Sequence, residues 1–269
     1  MCSLAGVTPP PASSDAPSLH PTAADGFAAG AHVYDAARPG YPAQALDLLA
    51  HHLGLGDGPR VIDLGAGTGK LTRELASRGA EVVAIEPVAA MRQQLERLLP
   101  DVDVRTGTAE AIPLEDRTAD AVTAAQAFHW FDAPVALAEI HRVLRAGGWL
   151  ATVFNRRDLT TPVQAALDHL LASYRADTPS WATDDWAEHL VASPLFDEVE
   201  TATFPNRQHL DAAGLAARVA SVSFVAKLDD RSRARVFAAV HGLFERSQQD
   251  GAVDLHYRTE VRVLRRVGS

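Results

Sequence analysis

Short apolar runs alternate with helical stretches through the first half of the chain. The runs cover residues 60–64, 81–85, 102–104, 119–125 and 149–154, and amphipathic stretches separate most of them. Strands that alternate with helices form right-handed βαβ units, whose parallel sheet is covered on both faces. The pattern therefore predicts a doubly wound, Rossmann-like α/β fold.

The alternation stops after residue 155. Residues 160–192 and 211–249 have helical spacing, and a strand is predicted from Phe196 to Phe204. Residues 256–264 alternate at period two, which is typical of a half-buried strand. We interpret the late part of the chain as a helical insertion, within about residues 155–250, followed by a strand that completes the sheet.

Charge limits the partners that this chain can bind. Its 25 Lys and Arg against 34 Asp and Glu give a net charge of −9. Nucleic acid and anionic membrane surfaces both attract clustered cations, so neither is expected as a partner. No stretch reaches the 18 or so apolar residues of a spanning helix, so no membrane segment is expected either.

The N-terminal residues predict a tail and a compartment. Residues 1–25 are rich in Pro, Ala and Ser without a period, which predicts disorder, and residues 26–269 are predicted to form a single domain. The start lacks the basic and apolar regions of a signal peptide. Cys2 is the one cysteine and cannot form an internal disulfide, which fits a cytoplasmic location.

A glycine-rich loop follows the first apolar run. Residues 63–69 read Asp-Leu-Gly-Ala-Gly-Thr-Gly, and such a loop presents backbone N–H groups and a helix N-terminus to a ligand. The dinucleotide pattern G-x-G-x-x-G fails, since its third glycine would fall on Lys70. The phosphate-loop pattern fails at Leu71, where Ser or Thr is required. A tight turn without a ligand is the remaining alternative.

The loop resembles the first motif of class I S-adenosylmethionine-dependent methyltransferases, acidic-x-Gly-x-Gly-x-Gly. Further segments are similar to motifs of that family: Glu86 at the end of the second run, residues 107–114, residues 120–131 and residues 144–148. The family resemblance implies a mostly parallel sheet of seven strands whose last strand is antiparallel. It also implies S-adenosylmethionine as cofactor, with residues 26–155 as the cofactor-binding half and residues 156–269 as the insertion and sheet-completing segment.

The branch of the family is suggested by four other segments. Tyr34 with the Arg-Pro-Gly-Tyr-Pro sequence at residues 38–42, residues 128–131, residues 149–155 and residues 257–260 resemble the small-molecule branch that includes trans-aconitate methyltransferases. The resemblance covers about residues 34–155 and the last dozen. A small-molecule acceptor is therefore implied.

The resemblance also implies which side chains contact the cofactor. Glu86 would bind both ribose hydroxyls, Asp63 would help hold the methionine end, and Arg38 would pair with the cofactor carboxylate. The full set of implied cofactor residues is Tyr34, Arg38, Asp63, Gly65, Ala66, Gly67, Gly69, Glu86, Pro87, Thr108, Ala109, Glu110 and Gln126.

His129 is the candidate catalytic residue because it follows the fourth run, where parallel sheets place their ligands. It could remove a proton from a hydroxyl, orient a substrate or cofactor, or pack with the aromatic residues beside it. The histidines show no metal-binding spacing, so no metal is expected. Trp181 and Trp186 could line an acceptor pocket or pack within the insertion.

The predicted function is methyl transfer to a small-molecule acceptor, most readily at an oxygen of a carboxylate or a hydroxyl. The loop after the fourth run lacks the Asp/Asn-Pro-Pro-aromatic pattern of enzymes that methylate amide or base nitrogens. Two alternatives remain open at this point: a nicotinamide-dependent oxidoreductase, and a cofactor-binding protein without turnover.

Overall fold

The computed structural model describes residue 35 and residues 37–174 and 185–268. Predictions for the tail at residues 1–25, for Tyr34 and for Trp181 lie outside these residues. The described part forms one sheet with helices packed on both of its faces.

Seven strands form the sheet in the order β3-β2-β1-β4-β5-β7-β6. Neighbouring strands from β3 to β5 are parallel, and β7 runs antiparallel to both β5 and β6. The predicted fold, with its antiparallel last strand, is confirmed. The strands are β1 (Arg60–Leu64), β2 (Glu81–Ile85), β3 (Asp103–Arg105), β4 (Ala119–Ala125), β5 (Leu144–Arg157), β6 (Phe196–Leu210) and β7 (Val253–Arg266).

The helices divide between the two faces of the sheet. Those described are α1 (Ala43–Leu53), α2 (Lys70–Ser77), α3 (Ala89–Leu98), α4 (Ala133–Val143), α5 (Pro162–Ala172), α6 (Asp185–Ala192), α7 (Ala212–Ala220), α8 (Ser223–Ala226) and α9 (Asp230–Ser247). Helices α1 and α2 pack against one face, where Val61 and Val153 are buried. Helices α4 and α6 pack against the other, where Ile62 and Phe154 are buried. Alternate strand residues point to opposite faces, so neighbouring residues such as Val61 and Ile62 belong to different cores.

The late part of the chain is divided in two by β6. Helices α5 and α6 precede this strand and helices α7 to α9 follow it, so the helical insertion is two segments. A third apolar cluster joins α5, α7 and α9 to the first residues of β7, with Leu167, Leu215 and Leu255 fully or nearly buried. Pro205 is tolerated within β6 because β6 is the edge strand and needs no second neighbour.

Candidate functional site

The glycine loop turns sharply between β1 and α2. Gly65 has φ of +64°, and a Cβ added there would lie 2.7 Å from the Cβ of Ala127. Its N–H and that of Ala66 donate to the carbonyl of Ile85, at 2.8 and 3.2 Å. Gly65 therefore allows the loop after β4 to pack directly against the loop after β1. Gly69, with φ of +85°, closes the turn and donates its N–H to the carbonyl of Ala66.

Open space lies above Gly67. Its φ is +59°, and a Cβ added there meets no atom of the described residues within 4 Å. The Gly67 N–H donates to Glu86 Oε2 at 2.9 Å, and the N–H of Val88 donates to Glu86 Oε1 at 2.8 Å. Because Gly67 has no side chain, a ligand can approach its backbone closely, beside the Glu86 carboxylate. We call this space above Gly67 the cradle.

Glu86 is buried at the end of β2, as the family resemblance implies. Burial raises its pKa to about 7, although the two backbone hydrogen bonds and the nearby Arg92 act in the opposite direction. Arg92 also donates to the carbonyls of Glu86 and Pro87, at 2.8 and 2.7 Å. The N–H groups of Gly67 and Val88 therefore fix the position of the Glu86 carboxylate, and Arg92 fixes the backbone beside it.

Asp63 lies behind the glycine loop and is 1% exposed. Thr72 donates to its Oδ2 at 2.6 Å and Thr123 donates to its Oδ1 at 2.8 Å. Burial raises the pKa of Asp63 to about 6, and these two hydrogen bonds oppose that rise. Asp63 therefore joins the start of α2 to β4, and a direct contact of its carboxylate with a ligand stays a prediction.

The segment after β3 is held firmly at the same edge of the sheet. Arg142 donates to the carbonyls of Ile112 and Leu114, at 3.0 and 2.9 Å. Glu110 Oε1 accepts a hydrogen bond from the backbone N–H of Asp132, which ties this segment to the loop after β4. Thr108 Oγ1 is buried without a hydrogen-bond partner in the described part of the chain, beside the buried Ala109. Such an oxygen is unusual in a folded protein, and a ligand that hydrogen-bonds to it would satisfy it.

The loop after β4 brings Gln126 and His129 to the carboxyl ends of the strands. Gln126 has φ of +56°, a strained conformation for a residue with a side chain, and its N–H donates to the carbonyl of Val153. His129 is half-buried, and its Nδ1 is buried without a hydrogen-bond partner among the described residues. Burial, and to a smaller extent the charge of Arg38, lower its pKa to about 3. The imidazole is therefore neutral at physiological pH.

Aromatic side chains surround His129. Its ring centre lies 4.9 Å from that of Trp130 and 5.7 Å from that of Phe154. Phe154 stacks on Trp186 of the insertion at 4.3 Å. Trp186 is therefore part of the core, while the same contact places the insertion next to the loop that carries His129.

Asp35 and residues 37–42, which we call the bridging segment, join the glycine loop region to the late part of the chain. At its start, Asp35 accepts hydrogen bonds from Thr68 Oγ1 to its carboxylate and from Lys70 Nζ to its carbonyl, at 3.2 and 2.6 Å. Within it, Arg38 donates from Nη2 to the carbonyl of Ser221 at 2.7 Å. The implied role of Arg38 near the cofactor stays a prediction, as does that of Tyr34.

The predicted residues from Gly65 to His129 follow the carboxyl ends of β1, β2, β3 and β4, which lie side by side in the sheet. Ligands of open α/β sheets bind at this edge. Three supporting residues were not predicted from the sequence: Thr72, Thr123 and Arg92. Thr123 had a signal, since it interrupts an apolar strand that is buried on both faces.

Three other features were considered in the described residues: a metal site, a membrane-spanning helix and a cavity away from the glycine loop. No group of three or more His, Cys, Asp or Glu side chains among the described residues could hold a metal ion. In residues 35, 37–174 and 185–268, every helix is too short or too polar to cross a bilayer. A cavity of about 490 Å³ lies at β6 and β7, lined by residues that include Thr203 and Arg258 but none of the predicted cofactor residues.

Comparisons with known proteins agree with this geometry. The sequence model of a family described as "Methyltransferase domain" matches residues 62–152, from β1 to β5. An uncharacterized methyltransferase-like protein of Schizosaccharomyces pombe is 36% identical over 230 residues, which span 84% of this chain and 90% of that protein. An uncharacterized methyltransferase of Mycobacterium tuberculosis is 49% identical over 132 residues, which span 49% of this chain and 53% of that protein.

Solved structures share the fold at low sequence identity. A protein of Anaeromyxobacter dehalogenans, provisionally described as a type II methyltransferase, has a TM-score of 0.59 at 24% identity and covers 85% of this chain and 96% of its own. A geranyl diphosphate methyltransferase in complex with S-adenosylmethionine has a TM-score of 0.50 at 19% identity, covering 84% of this chain and 85% of its own.

The glycine loop, the buried Glu86 and the cradle above Gly67 suit a ribose and its attached groups. The S. pombe relative matches 84% of this chain at 36% identity, which establishes common family membership. The chain belongs to the class I S-adenosylmethionine-dependent methyltransferases, and S-adenosylmethionine is its methyl donor.

Proposed function

We propose that this methyltransferase transfers the methyl group to an oxygen of a small-molecule acceptor, a carboxylate or a hydroxyl. The observation that carries the proposal is the environment of His129: a neutral imidazole at the end of β4, close to the positive charge of Arg38. A neutral N–H donor and a cation suit an oxygen nucleophile that carries negative charge or acquires it during transfer.

The cofactor would be held chiefly by Glu86 and by the open backbone at Gly67. The two ribose hydroxyls would donate to the Glu86 carboxylate, because an ionised acceptor makes the stronger hydrogen bonds. The orphaned Thr108 Oγ1 lies on the segment that the family resemblance assigns to adenine and would gain a partner there. The free space at Gly67, the Glu86 carboxylate and the unpaired Thr108 Oγ1 support this placement of the cofactor.

When bound, S-adenosylmethionine supplies a methyl group that its positively charged sulfur has already activated. The chain contributes alignment of the acceptor and exclusion of water, and alignment alone can supply much of the rate. With a pKa of about 3, His129 is a weak base for removing a hydroxyl proton. This supports orientation of the acceptor by His129, and a carboxylate acceptor needs no proton removed.

An acceptor screen with methyl-labelled cofactor tests the proposal. Small carboxylic acids and phenols would be incubated with the full chain, and the labelled products treated with alkali. A methyl ester releases volatile methanol under alkali, whereas an aryl methyl ether and an N- or C-methyl product do not. We expect transfer to an oxygen, and for an ester product a kcat at saturating cofactor that stays flat between about pH 5 and pH 8, because His129 is neutral throughout.

The Glu86→Gln variant is the control for cofactor-dependent labelling, since it should lose label with every acceptor. Labelling on nitrogen or carbon, identified by mass spectrometry of the product, would contradict the proposal. A rate that titrates with a group near pH 6.5 in the wild type and not in His129→Asn would contradict the orienting role of His129 alone, because it would identify this residue as a base for a hydroxyl acceptor.

A further inference from the structure

Two arginines meet at the carboxyl end of β5, away from the predicted cofactor residues. Arg157 is the last residue of β5 and lies opposite Tyr257 of β7 in the strand register. Arg218, from α7, donates from Nε to the hydroxyl of the same tyrosine at 3.1 Å. Its guanidinium carbon lies 6.0 Å from the centre of the tyrosine ring. Both guanidinium groups therefore approach Tyr257.

The charges of this pair are not balanced by the described residues. Arg157 forms an ion pair with Asp168 of α5 at 2.5 Å. Arg218 is 5% exposed, and no carboxylate of the described residues forms an ion pair with it. A guanidinium cannot discharge by losing a proton in a protein, so a buried one without a counter-charge is costly. Burial, then the charge of Arg218, lower the pKa of Arg157, and the nearby Asp168 acts in the opposite direction.

We propose that Arg218 binds an anionic group, a carboxylate or a phosphate, on the methyl acceptor. The terminal nitrogens of Arg218 have no hydrogen-bond partner among the described residues, and a guanidinium presents them in a fork that matches both anions. The inference rests on the proposed function, since it names the class of molecule that receives the methyl group.

The bridging segment places this subsite on the cofactor's edge of the sheet. Tyr257 donates its hydroxyl to Gln208 Oε1 at 3.4 Å, and Gln208 Nε2 donates to the carbonyl of Ala37 at 2.8 Å. Arg38 reaches the carbonyl of Ser221, which caps the helix that carries Arg218. An anion on Arg218 would therefore lie beside the segment that also contacts the glycine loop.

A second buried polar group has no partner in this region. Gln164 lies one turn before Asp168 on the same face of α5 and is 1% exposed. Its Oε1 is buried and accepts no hydrogen bond from the described residues. A buried amide oxygen without a donor is rare, and an acceptor that carries a hydroxyl or amine near its anionic group would satisfy it.

Anion binding to the full chain, with S-adenosylhomocysteine at saturation, tests the inference without turnover. The probes are glutarate and inorganic phosphate at constant ionic strength, with the neutral dimethyl glutarate as the uncharged control. Calorimetry should show saturable binding of at least one anion below about 10 mM and none of the diester. In Arg218→Gln the dissociation constant should rise about tenfold or more, because hydrogen bonds to a charged group are lost. Preference for glutarate or for phosphate identifies the anion.

Arg235→Gln is the matched control, since Arg235 is an exposed arginine of α9 and does not line the cavity that Tyr257 and Arg258 share. Its anion affinity should match the wild type. If Arg218→Gln does not fold, Arg218→Lys decides by the same measurement, since it keeps the charge and loses the fork. Equal anion affinity in the wild type and the folded Arg218 variant would overturn the inference, as would no saturation by either anion. Failure of the proposed function would show separately, as absent binding of S-adenosylhomocysteine or methylation at another atom.

Discussion

The two ends of the carboxyl edge present different chemical groups to their predicted ligands. Over β1 and β2 these groups are mainly backbone, from the glycine loop and the N–H groups that position Glu86. Over β5 and β7 the polar groups are side chains, with Arg157 and Arg218 against Tyr257. Backbone groups can fit one rigid cofactor closely, whereas the choice and placement of charged side chains can change without altering the fold.

The two ends also differ in how far apart their residues lie in the sequence. The cofactor edge is built from short contiguous stretches, so a motif in the sequence describes most of it. The arginine pair brings together residues 157, 168, 218 and 257, which lie far apart in the chain. Fold and cofactor motifs do not specify the acceptor, and in this molecule the side chains of the late segments would do so.

The largest expected effect is at Gly65 of the glycine loop. We expect Gly65→Ala to lower the free energy of unfolding by about 2–5 kcal/mol, from the positive φ and from the clash with Ala127. Gly67→Ala shares the positive φ but meets no atom, so it should cost about 1–2 kcal/mol. Urea denaturation measures both. Equal losses would show that the clash at Gly65 is relieved by movement of the loop.

The next effect concerns the affinity for cofactor at Glu86. We expect Glu86→Gln to raise the dissociation constant of S-adenosylhomocysteine by about a hundredfold, since hydrogen bonds to a charged carboxylate are each worth roughly 1.5–3 kcal/mol. Calorimetry measures it, and Arg258→Gln at the other end of the edge should bind as the wild type does. An unchanged constant in Glu86→Gln would place the ribose elsewhere.

Much of the fold could be predicted because apolar periodicity coincides with the elements. The bounds of β1, β2 and β4 are those of the apolar runs in the sequence. Strand β6 extends to Leu210, six residues beyond the predicted Phe204. That extension consists mainly of polar residues without an apolar run, and its pairing with β7 holds it in place, so no local pattern marks it.

The candidate site was less predictable wherever it depends on tertiary contacts. The acidic residue and glycines of the loop were recognisable as a motif. That both oxygens of Asp63 accept hydrogen bonds from threonines could not be read from spacing, since Thr123 comes from another strand. The low pKa of His129 likewise depends on burial and on Arg38, which only the folded chain brings close.

A smaller effect is the pH dependence of cofactor affinity, which is expected from Glu86 at the β1 and β2 end of the edge. With a pKa of about 7 in the cofactor-free protein, Glu86 is largely protonated at pH 6, whereas the ribose hydroxyls favour its ionised form. The dissociation constant of S-adenosylhomocysteine should therefore rise as pH falls below about 7, by at most about tenfold per pH unit. Proton release on binding, measured by calorimetry in buffers of different ionisation enthalpy, checks this. Proton release should be absent in Glu86→Gln. If it persists in that variant, another group releases the proton.

The same raised pKa has a consequence for stability, with a definite sign. The folded protein holds the Glu86 proton more tightly than the unfolded chain, whose carboxyl titrates near 4.5. The contribution of Glu86 to stability is therefore greatest below pH 4.5 and is lost as pH rises through about 7. Bound cofactor should offset that loss, so its stabilising effect on the wild type should be larger at pH 8 than at pH 6.

The smallest effect concerns the bridging segment, which joins the two ends. Asn206 Nδ2 donates to the carbonyl of Gly40 at 2.9 Å, and Asn155 Nδ2 donates to the same carbonyl at 3.1 Å. Because one donor remains, Asn206→Ala should cost only about 0.5–1.5 kcal/mol of unfolding free energy. The Asn155→Ala, Asn206→Ala double variant leaves this carbonyl without either donor, so its loss should exceed the sum of the single losses. Additive losses in urea denaturation would show that water replaces the side chains, and that the segment joins the two ends through Arg38 and Gln208 instead.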